Sequence, residues 1–100
     1  MYGTIARMQA KPGAEGELMA LSREFERVTP GLVGSYIYRS DTEPDTYWMA
    51  VAFTDKAAYV ANAQSPEQDA RYQKLRALLT ADPEWHDGEI VATQGAGTPA

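Results

Sequence analysis

The sequence predicts an α+β fold with the element order β-α-β-β-α-β. Three observations support it: β-rich segments alternate with amphipathic ones, turn residues stand at the junctions, and a serine-proline pair divides the second helical segment. The chain has 100 residues, 44% hydrophobic and 23% charged, which is typical of one globular domain. These features indicate a ferredoxin-like arrangement, in which helices cover one side of an antiparallel sheet.

The first half of the chain predicts a strand, a helix and a hairpin. β-branched and aromatic residues predict a strand over residues 2–9, and the turn sequence Lys11-Pro12-Gly13 ends it. A helix is predicted over residues 14–28, because its apolar residues recur at intervals of three and four. These apolar residues are Leu18, Leu21, Phe25 and Val28. Two β-rich segments, 32–39 and 46–54, flank an acidic turn and predict the hairpin.

The second half predicts a helix in two pieces and a last strand. Asp55 is placed to cap a short helix that reaches about residue 64. Ser65 and Pro66 then predict the start of a second helix, with Gln68 at the third helical position. Its apolar stripe is Tyr72, Leu75, Leu78 and Leu79, and we expect residues 81–83 to end it. A strand over residues 85–93 completes a domain at 1–93, and residues 94–100 are expected to form a loose tail.

Composition excludes several classes of function. The net charge of −5 argues against a polyanionic partner, so no nucleic-acid binding is expected. Without cysteine, and with one histidine, a Cys-ligated or His-rich metal site is impossible within one chain. We interpret the acidic pairs Asp82/Glu84 and Asp87/Glu89 as solvated charge rather than metal ligands. No apolar run of signal or membrane-spanning length occurs, so the cytoplasm is the expected location and no membrane contact is expected.

The predicted sheet has apolar residues on both of its faces. Trp48, Ala50 and Ala52 share one face of the third strand, and we assign Val33 and Ile37 to the same uncovered surface. A sheet with helices on one side only must cover its second face, and a second copy of the chain would do so. We therefore predict a homodimer that forms sheet to sheet. By the same alternation, Arg7 and Arg39 are expected on the dimer face, in ion pairs.

The sequence resembles the antibiotic biosynthesis monooxygenase family of dimeric α+β barrels over roughly residues 1–93. The order and spacing of five weak signals carry the resemblance. They are the turn at 11–13, Thr29-Pro30-Gly31-Leu32, the run at 47–55, Ala58-Tyr59 with Ser65-Pro66, and Trp85-His86-Asp87-Gly88-Glu89-Ile90. The resemblance implies the dimer and a small-molecule pocket between sheet and helices.

Two branches of that family differ in their site residues. In the haem-degrading branch, the expected asparagine, tryptophan and histidine fall here on Ala6, Asn62 and Tyr72, so none is present. In the branch that oxidises polycyclic phenols without a cofactor, the helical tyrosine is matched by Tyr59. The other four positions of that branch fall on Tyr38, Met49, Phe53 and Tyr72, and none matches. Haem degradation therefore ranks last among the functions considered.

The residues at these positions predict an apolar, aromatic pocket with hydroxyl groups. We take His86, Tyr59 and Tyr72 as candidate catalytic residues, with His86 as the base because its ordinary pKa is near neutrality. The candidate substrate-binding residues are Tyr36, Tyr38, Met49, Phe53 and Asn62, with Ala6 on the same wall. The alternative interpretation is structural: amphipathic tyrosines, a plain core at Met49 and Phe53, and a surface His86.

Two functions follow from this pocket. The first is a cofactor-independent monooxygenase that acts on a small quinol-like or polyphenolic aromatic substrate, whose ring stacks and whose oxygens form hydrogen bonds. The second is a non-catalytic dimeric binding or stress-response module that uses the same pocket. Neither requires a cofactor.

Overall fold

The computed structural model, which describes residues 1–95, confirms the predicted order of elements. Four strands and three helices follow one another along this part of the chain. They are β1 (Tyr2–Gln9), α1 (Glu15–Val28), β2 (Leu32–Arg39), β3 (Thr46–Phe53), α2 (Lys56–Ala63), α3 (Pro66–Ala77) and β4 (Glu84–Glu89). Of the predicted tail at 94–100, residues 96–100 lie outside the described residues. No helix within residues 1–95 is both long and apolar enough to cross a membrane.

The sheet is antiparallel, with strand order β2-β3-β1-β4. β1 is central and pairs with β3 on one side and β4 on the other. Because side chains alternate along a strand, Thr4, Ala6 and Met8 point to the side that the helices cover, and all three are buried. Ile5, between them, points to the other side and is 52% exposed.

The break between α2 and α3 is fixed by two capping side chains, as the sequence predicts. The Asp55 carboxylate accepts a hydrogen bond from the backbone N–H of Ala58 at 2.8 Å. The Ser65 hydroxyl accepts one from the backbone N–H of Gln68 at 3.1 Å, with Pro66 at the first helical position. Each cap satisfies a helix N–H that lacks an intrahelical partner, so the helix restarts at this point.

The apolar core lies between the sheet and α1. It includes Met8, Ala10, Leu18, Tyr47 and Leu79. Leu79 is buried beyond the end of α3, and its backbone bridges to Ala10 of the segment after β1. The helix therefore ends at Ala77, earlier than the expected end at 81–83, because burial of Leu79 draws the chain out of the helix.

The last strand is shorter than predicted. β4 covers Glu84–Glu89 rather than residues 85–93. Tyr2 pairs with Glu89, and the N–H of Ile90 donates to the carbonyl of Met1 at 2.9 Å. The ladder between β1 and β4 ends at this pair, so residues 91–93 are not part of the strand.

The face of the sheet opposite the helices is uncovered, as predicted; we call it the open face. It carries Ile5, Arg7, Tyr36, Tyr38, Trp48, Ala50, Ala52, Glu84 and His86, on the evidence of strand register. The assignment of Ile37 and Arg39 to this face is wrong. Ile37 pairs with Met49 on the helix side, and the Arg39 guanidinium binds Glu15 of α1 through two hydrogen bonds.

Candidate functional site

A cavity of about 420 Å³ lies between the helix side of the sheet and the three helices. All four strands contribute to its floor, and α1, α2 and α3 form its walls. Its lining is mostly apolar. The lining includes Thr4, Met8, Leu18, Met19, Leu21, Ser22, Phe25, Ile37, Tyr47, Met49, Val51, Phe53, Tyr59, Asn62, Ala63, Gln68, Asp69, Arg71, Tyr72, Leu75, Trp85 and Asp87.

Aromatic rings form much of this wall. Phe53 is almost fully buried and meets Phe25 and Tyr59 edge to face, with ring centroids 6.5 and 5.4 Å apart. Tyr72 and Trp85 form a second pair, with centroids 6.5 Å apart. Rings held in these geometries present faces and edges on which a flat aromatic ligand can stack.

One phenol and one carboxylate form a hydrogen-bonded pair in the cavity wall. The Tyr59 hydroxyl donates a hydrogen bond to Oδ1 of Asp87 at 2.8 Å. Burial, and then the adjacent Asp87 carboxylate, which favours the protonated phenol, together raise the pKa of Tyr59 to about 12. Tyr59 is therefore a neutral hydrogen-bond donor near pH 7, and not a base.

A buried hydroxyl lies beside this pair. Thr4 is 6% exposed, and its Oγ1 has no hydrogen-bond partner within residues 1–95. Thr4 is also the cross-strand partner of Asp87. Its hydroxyl lowers the pKa of Tyr59 as a smaller opposing effect, which places the two hydroxyls close together.

A charged network closes the end of the cavity near α1. The Tyr47 hydroxyl donates to Oε1 of Glu15 at 2.8 Å, and Arg39 binds the same carboxylate. The Arg39 guanidinium, and then Tyr47, lower the pKa of Glu15 to about 2. Burial, and then Glu15, raise the pKa of Tyr47. This network joins β2 and β3 to the start of α1.

Within the described chain, Arg71 is the one cationic side chain that lines the cavity. Its guanidinium carbon lies 5.8 Å from the centroid of the Phe25 ring, and its Nε donates to Gln68 at 3.2 Å. Residues 1–95 contain no group of three or more His, Asp or Glu side chains placed to hold a metal ion.

Five of the predicted site residues meet in this cavity. Tyr59, Tyr72, Met49, Phe53 and Asn62 all line it. They come from β3, α2 and α3, so the broken helix and the third strand were the informative parts of the sequence.

Four predicted residues lie elsewhere, and the prediction that they share this pocket is wrong. Tyr36 and Tyr38 are 74% and 60% exposed on the open face, because Ile37 between them is the residue that faces the helices. His86 pairs with Ile5 and lies on the same open face, so it cannot act as a base on a ligand inside the cavity. Ala6 is fully buried on the helix side but does not line the cavity.

Sequence reasoning assigns no residue of α1 to the cavity, and it also misses three residues of β1 and β4. It interprets Asp87 as solvated charge and does not assign Thr4 or Trp85 to the site. Alternation along β4 places Trp85 and Asp87 on the side opposite His86. The choice of His86 rests on its ordinary pKa, which does not indicate the face of the strand on which it lies. The pairing of Thr4 with Asp87 and of Ala6 with Trp85 is a property of the folded sheet and has no local signal in the sequence.

The family follows from comparison with known proteins. The sequence profile described as antibiotic biosynthesis monooxygenase matches residues 1–74. The chain belongs to the antibiotic biosynthesis monooxygenase family. No functionally curated protein matches the sequence.

Solved structures show the same fold. A Chloroflexus aurantiacus protein assigned to this family is 27% identical, with a TM-score of 0.76; the match covers 96% of this chain and 98% of that chain. A variant of SnoaB, a cofactor-independent oxygenase from Streptomyces nogalater, is 22% identical, with a TM-score of 0.76 and coverage of 92% and 94%. NE2512 from Nitrosomonas europaea, of unknown function, is 22% identical, with a TM-score of 0.72 and coverage of 99% and 94%.

Proposed function

We propose that this protein is a cofactor-independent monooxygenase that oxidises a small quinol-like or polyphenolic aromatic substrate in the cavity. The observation that carries the proposal is an aromatic-walled cavity in whose wall a phenol, a carboxylate and a hydroxyl without a hydrogen-bond partner lie together. Membership of the family supports the reaction type. The name of SnoaB describes such an activity in a protein with the same fold.

The reaction needs a substrate that supplies the electrons itself. Loss of a proton gives an electron-rich phenolate or enolate, which transfers one electron to O₂ and leaves a substrate radical beside superoxide. The two combine to form a C–O bond at a ring carbon that carries one hydrogen, and the proton lost by the phenol returns to the peroxide. Loss of water then leaves one oxygen atom as a new carbonyl, and the other departs as water with that proton and the hydrogen of the ring carbon.

The first step needs a proton acceptor, and the geometry favours Asp87. Its carboxylate lines the cavity and contacts Tyr59, whereas His86 lies on the open face. The other carboxylate of the lining, Asp69, lies in the first turn of α3, where the helix N-terminus stabilises its charge. A carboxylate at a mostly apolar wall is poised to accept a proton from a bound phenol.

Oxygen uptake by the purified chain, in metal-free buffer without added cofactor, tests this proposal on a panel of hydroquinones and polyphenols. Turnover with one atom of ¹⁸O₂ in the product supports it. Met49→Trp, which fills the cavity, should abolish the rate, and Val91→Trp, at an exposed residue outside the elements, should not. If no compound causes oxygen uptake, the monooxygenase proposal fails.

A binding module is the second candidate. The high pKa of Tyr59 favours it, because a permanently protonated phenol holds ligands without transferring protons. Binding of a panel compound by calorimetry, without oxygen uptake, would identify this function.

We also propose that the chain forms a homodimer through the open face. Tyr36, Tyr38 and Ile5 are large side chains that the single chain leaves more than half exposed on this surface. Arg7 lies there too, bonded to Glu43 at 2.7 Å and Glu84 at 3.2 Å within its own chain. The cytoplasm remains our proposed location, on the compositional grounds given above.

A further inference from the structure

Three polar groups meet on the cavity wall where β1, β4 and α2 come together. Thr4 and Asp87 are cross-strand partners, so their side chains leave the sheet next to each other. Tyr59 reaches them from α2 and donates to Oδ1 of Asp87 at 2.8 Å. All three side chains line the cavity.

The Thr4 hydroxyl lacks a hydrogen-bond partner at a buried position, where an unpaired polar group costs free energy. Buried hydroxyls are nearly always hydrogen-bonded, because loss of water without a replacement bond is unfavourable. Thr4 is 6% exposed, and within residues 1–95 nothing bonds to its Oγ1. Thr4 lines the cavity, so a rotation about χ1 that turns its hydroxyl toward the cavity allows a bound ligand to supply the missing partner.

The chemistry of the two neighbours limits what that ligand group can be. An ionised carboxylate only accepts hydrogen bonds, and Tyr59 occupies one position on Oδ1 of Asp87. The remaining lone pairs of Asp87 require a donor, whereas Thr4 can donate or accept. A hydroxyl group satisfies both, since it donates to Asp87 and accepts from Thr4. An ether or carbonyl oxygen has no proton to give Asp87.

We infer that Thr4, Tyr59 and Asp87 form a hydroxyl-selective subsite, which binds the phenolic hydroxyl of an aromatic ligand and discriminates against the matching ether, ketone or quinone. Tyr59 is the positioning residue, because its hydrogen bond orients the Asp87 carboxylate. The inference rests on the proposed function in taking the cavity as the ligand site. The subsite also makes the reduced substrate bind more tightly than an oxidised product. The weaker binding of the product aids its release.

The test compares 1-naphthol with 1-methoxynaphthalene, in which a methyl group replaces the hydroxyl hydrogen. Calorimetric titration of the full chain should give at least about fivefold tighter binding of 1-naphthol, the contribution of roughly one hydrogen bond at a partly exposed carboxylate. Asp87→Asn, which can donate as well as accept, should bring the ratio close to one. Asp41→Asn, the same change in the exposed hairpin loop, should leave the ratio unchanged.

A second pair of variants separates ligand binding from packing. Thr4→Val removes the partnerless hydroxyl, so it should raise the melting temperature and yet weaken 1-naphthol binding several-fold. Thr29→Val is the matched control: its Oγ1 is also buried without a partner in the described chain, but it does not line the cavity. This control should also raise the melting temperature, without changing the affinity for 1-naphthol.

Equal affinities for the two probes, or no binding of either at millimolar concentration, would overturn the inference. So would unchanged 1-naphthol binding by Thr4→Val. These measurements are independent of turnover. Absence of oxygen uptake with a preserved preference for 1-naphthol would refute the proposed reaction and leave the subsite standing. Oxygen uptake together with equal affinities for the two probes would support the proposed reaction and refute the subsite.

Discussion

A charge placed in the middle of the open face should break the predicted dimer. Ala50 is the natural position, because its cross-strand partners, Ile5 and Tyr36, are both large exposed side chains of this face. Ala50→Asp would place a carboxylate among them. The cation of this face, Arg7, already binds two carboxylates and is not available to neutralise a third.

The size of the effect follows from burial of an unpaired charge. Leaving one charge uncompensated in a buried interface costs 3–5 kcal/mol or more, and a two-fold interface contains the change in both copies. Because burial at this face is incomplete, we take the lower figure of about 3 kcal/mol per dimer. This free energy corresponds to a roughly hundredfold higher dissociation constant of the dimer. Sedimentation equilibrium from nanomolar to micromolar concentration measures this constant directly.

Two further variants make the result interpretable. Ala57→Asp is the same substitution at an exposed position in the first turn of α2, and it should leave the dimer intact. Tyr36→Lys alters a side chain that the single chain already leaves 74% exposed, so it should weaken the dimer without unfolding the chain. A wild-type species of 11.0 kDa at micromolar concentration, or a dimer indifferent to both open-face variants, would refute the reasoning.

Three other predictions concern single side chains. Tyr59→Phe should weaken binding of a phenolic ligand by roughly 0.5–1.5 kcal/mol, because the hydroxyl is lost while the ring still packs. An unchanged affinity by calorimetry would show that the Tyr59 hydroxyl does not contribute to binding. Glu15 has its pKa lowered to about 2 by Arg39, so its stabilising contribution is complete above about pH 4.5 and disappears as the pH falls toward 2. Urea unfolding should therefore show a steeper acid loss of stability in the wild type than in Glu15→Gln; parallel curves would contradict this. Gly3→Ala should destabilise strongly, since a Cβ would lie 1.8 Å from a backbone carbonyl oxygen of β3, whereas Gly88→Ala, with open space around its Cβ, should unfold at nearly the wild-type temperature.

The fold could be predicted because each element has a local signal. The caps at Asp55 and Ser65 are sequence features, and both make the expected hydrogen bonds. The ends of α3 and β4 could not be predicted locally. They depend on Leu79 packing against a distant segment and on where β1 begins, which are properties of the whole sheet.

The site was predicted in part, for a related reason. Tyr59, Tyr72 and Asn62 are indicated by their positions in the pattern of the family that the sequence resembles, and all three line the cavity. On strands, a phase error of one residue moves a side chain to the opposite face. That error assigns Tyr36 rather than Ile37 to the cavity, whereas the selection of His86 rests on its ordinary pKa and not on strand phase. Nor does sequence alone show that the Thr4 hydroxyl is left without a partner.

The central claim is that Asp87, within the cavity, drives oxidation of a phenolic substrate without a cofactor. The most direct measurement is the initial rate of oxygen consumption by the wild type, Asp87→Asn and His86→Ala with the best substrate of the quinol panel. Loss of a general base predicts a kcat about 100-fold lower or more for Asp87→Asn, with the His86→Ala rate and pH profile unchanged. A large loss in His86→Ala with full activity in Asp87→Asn would contradict the account.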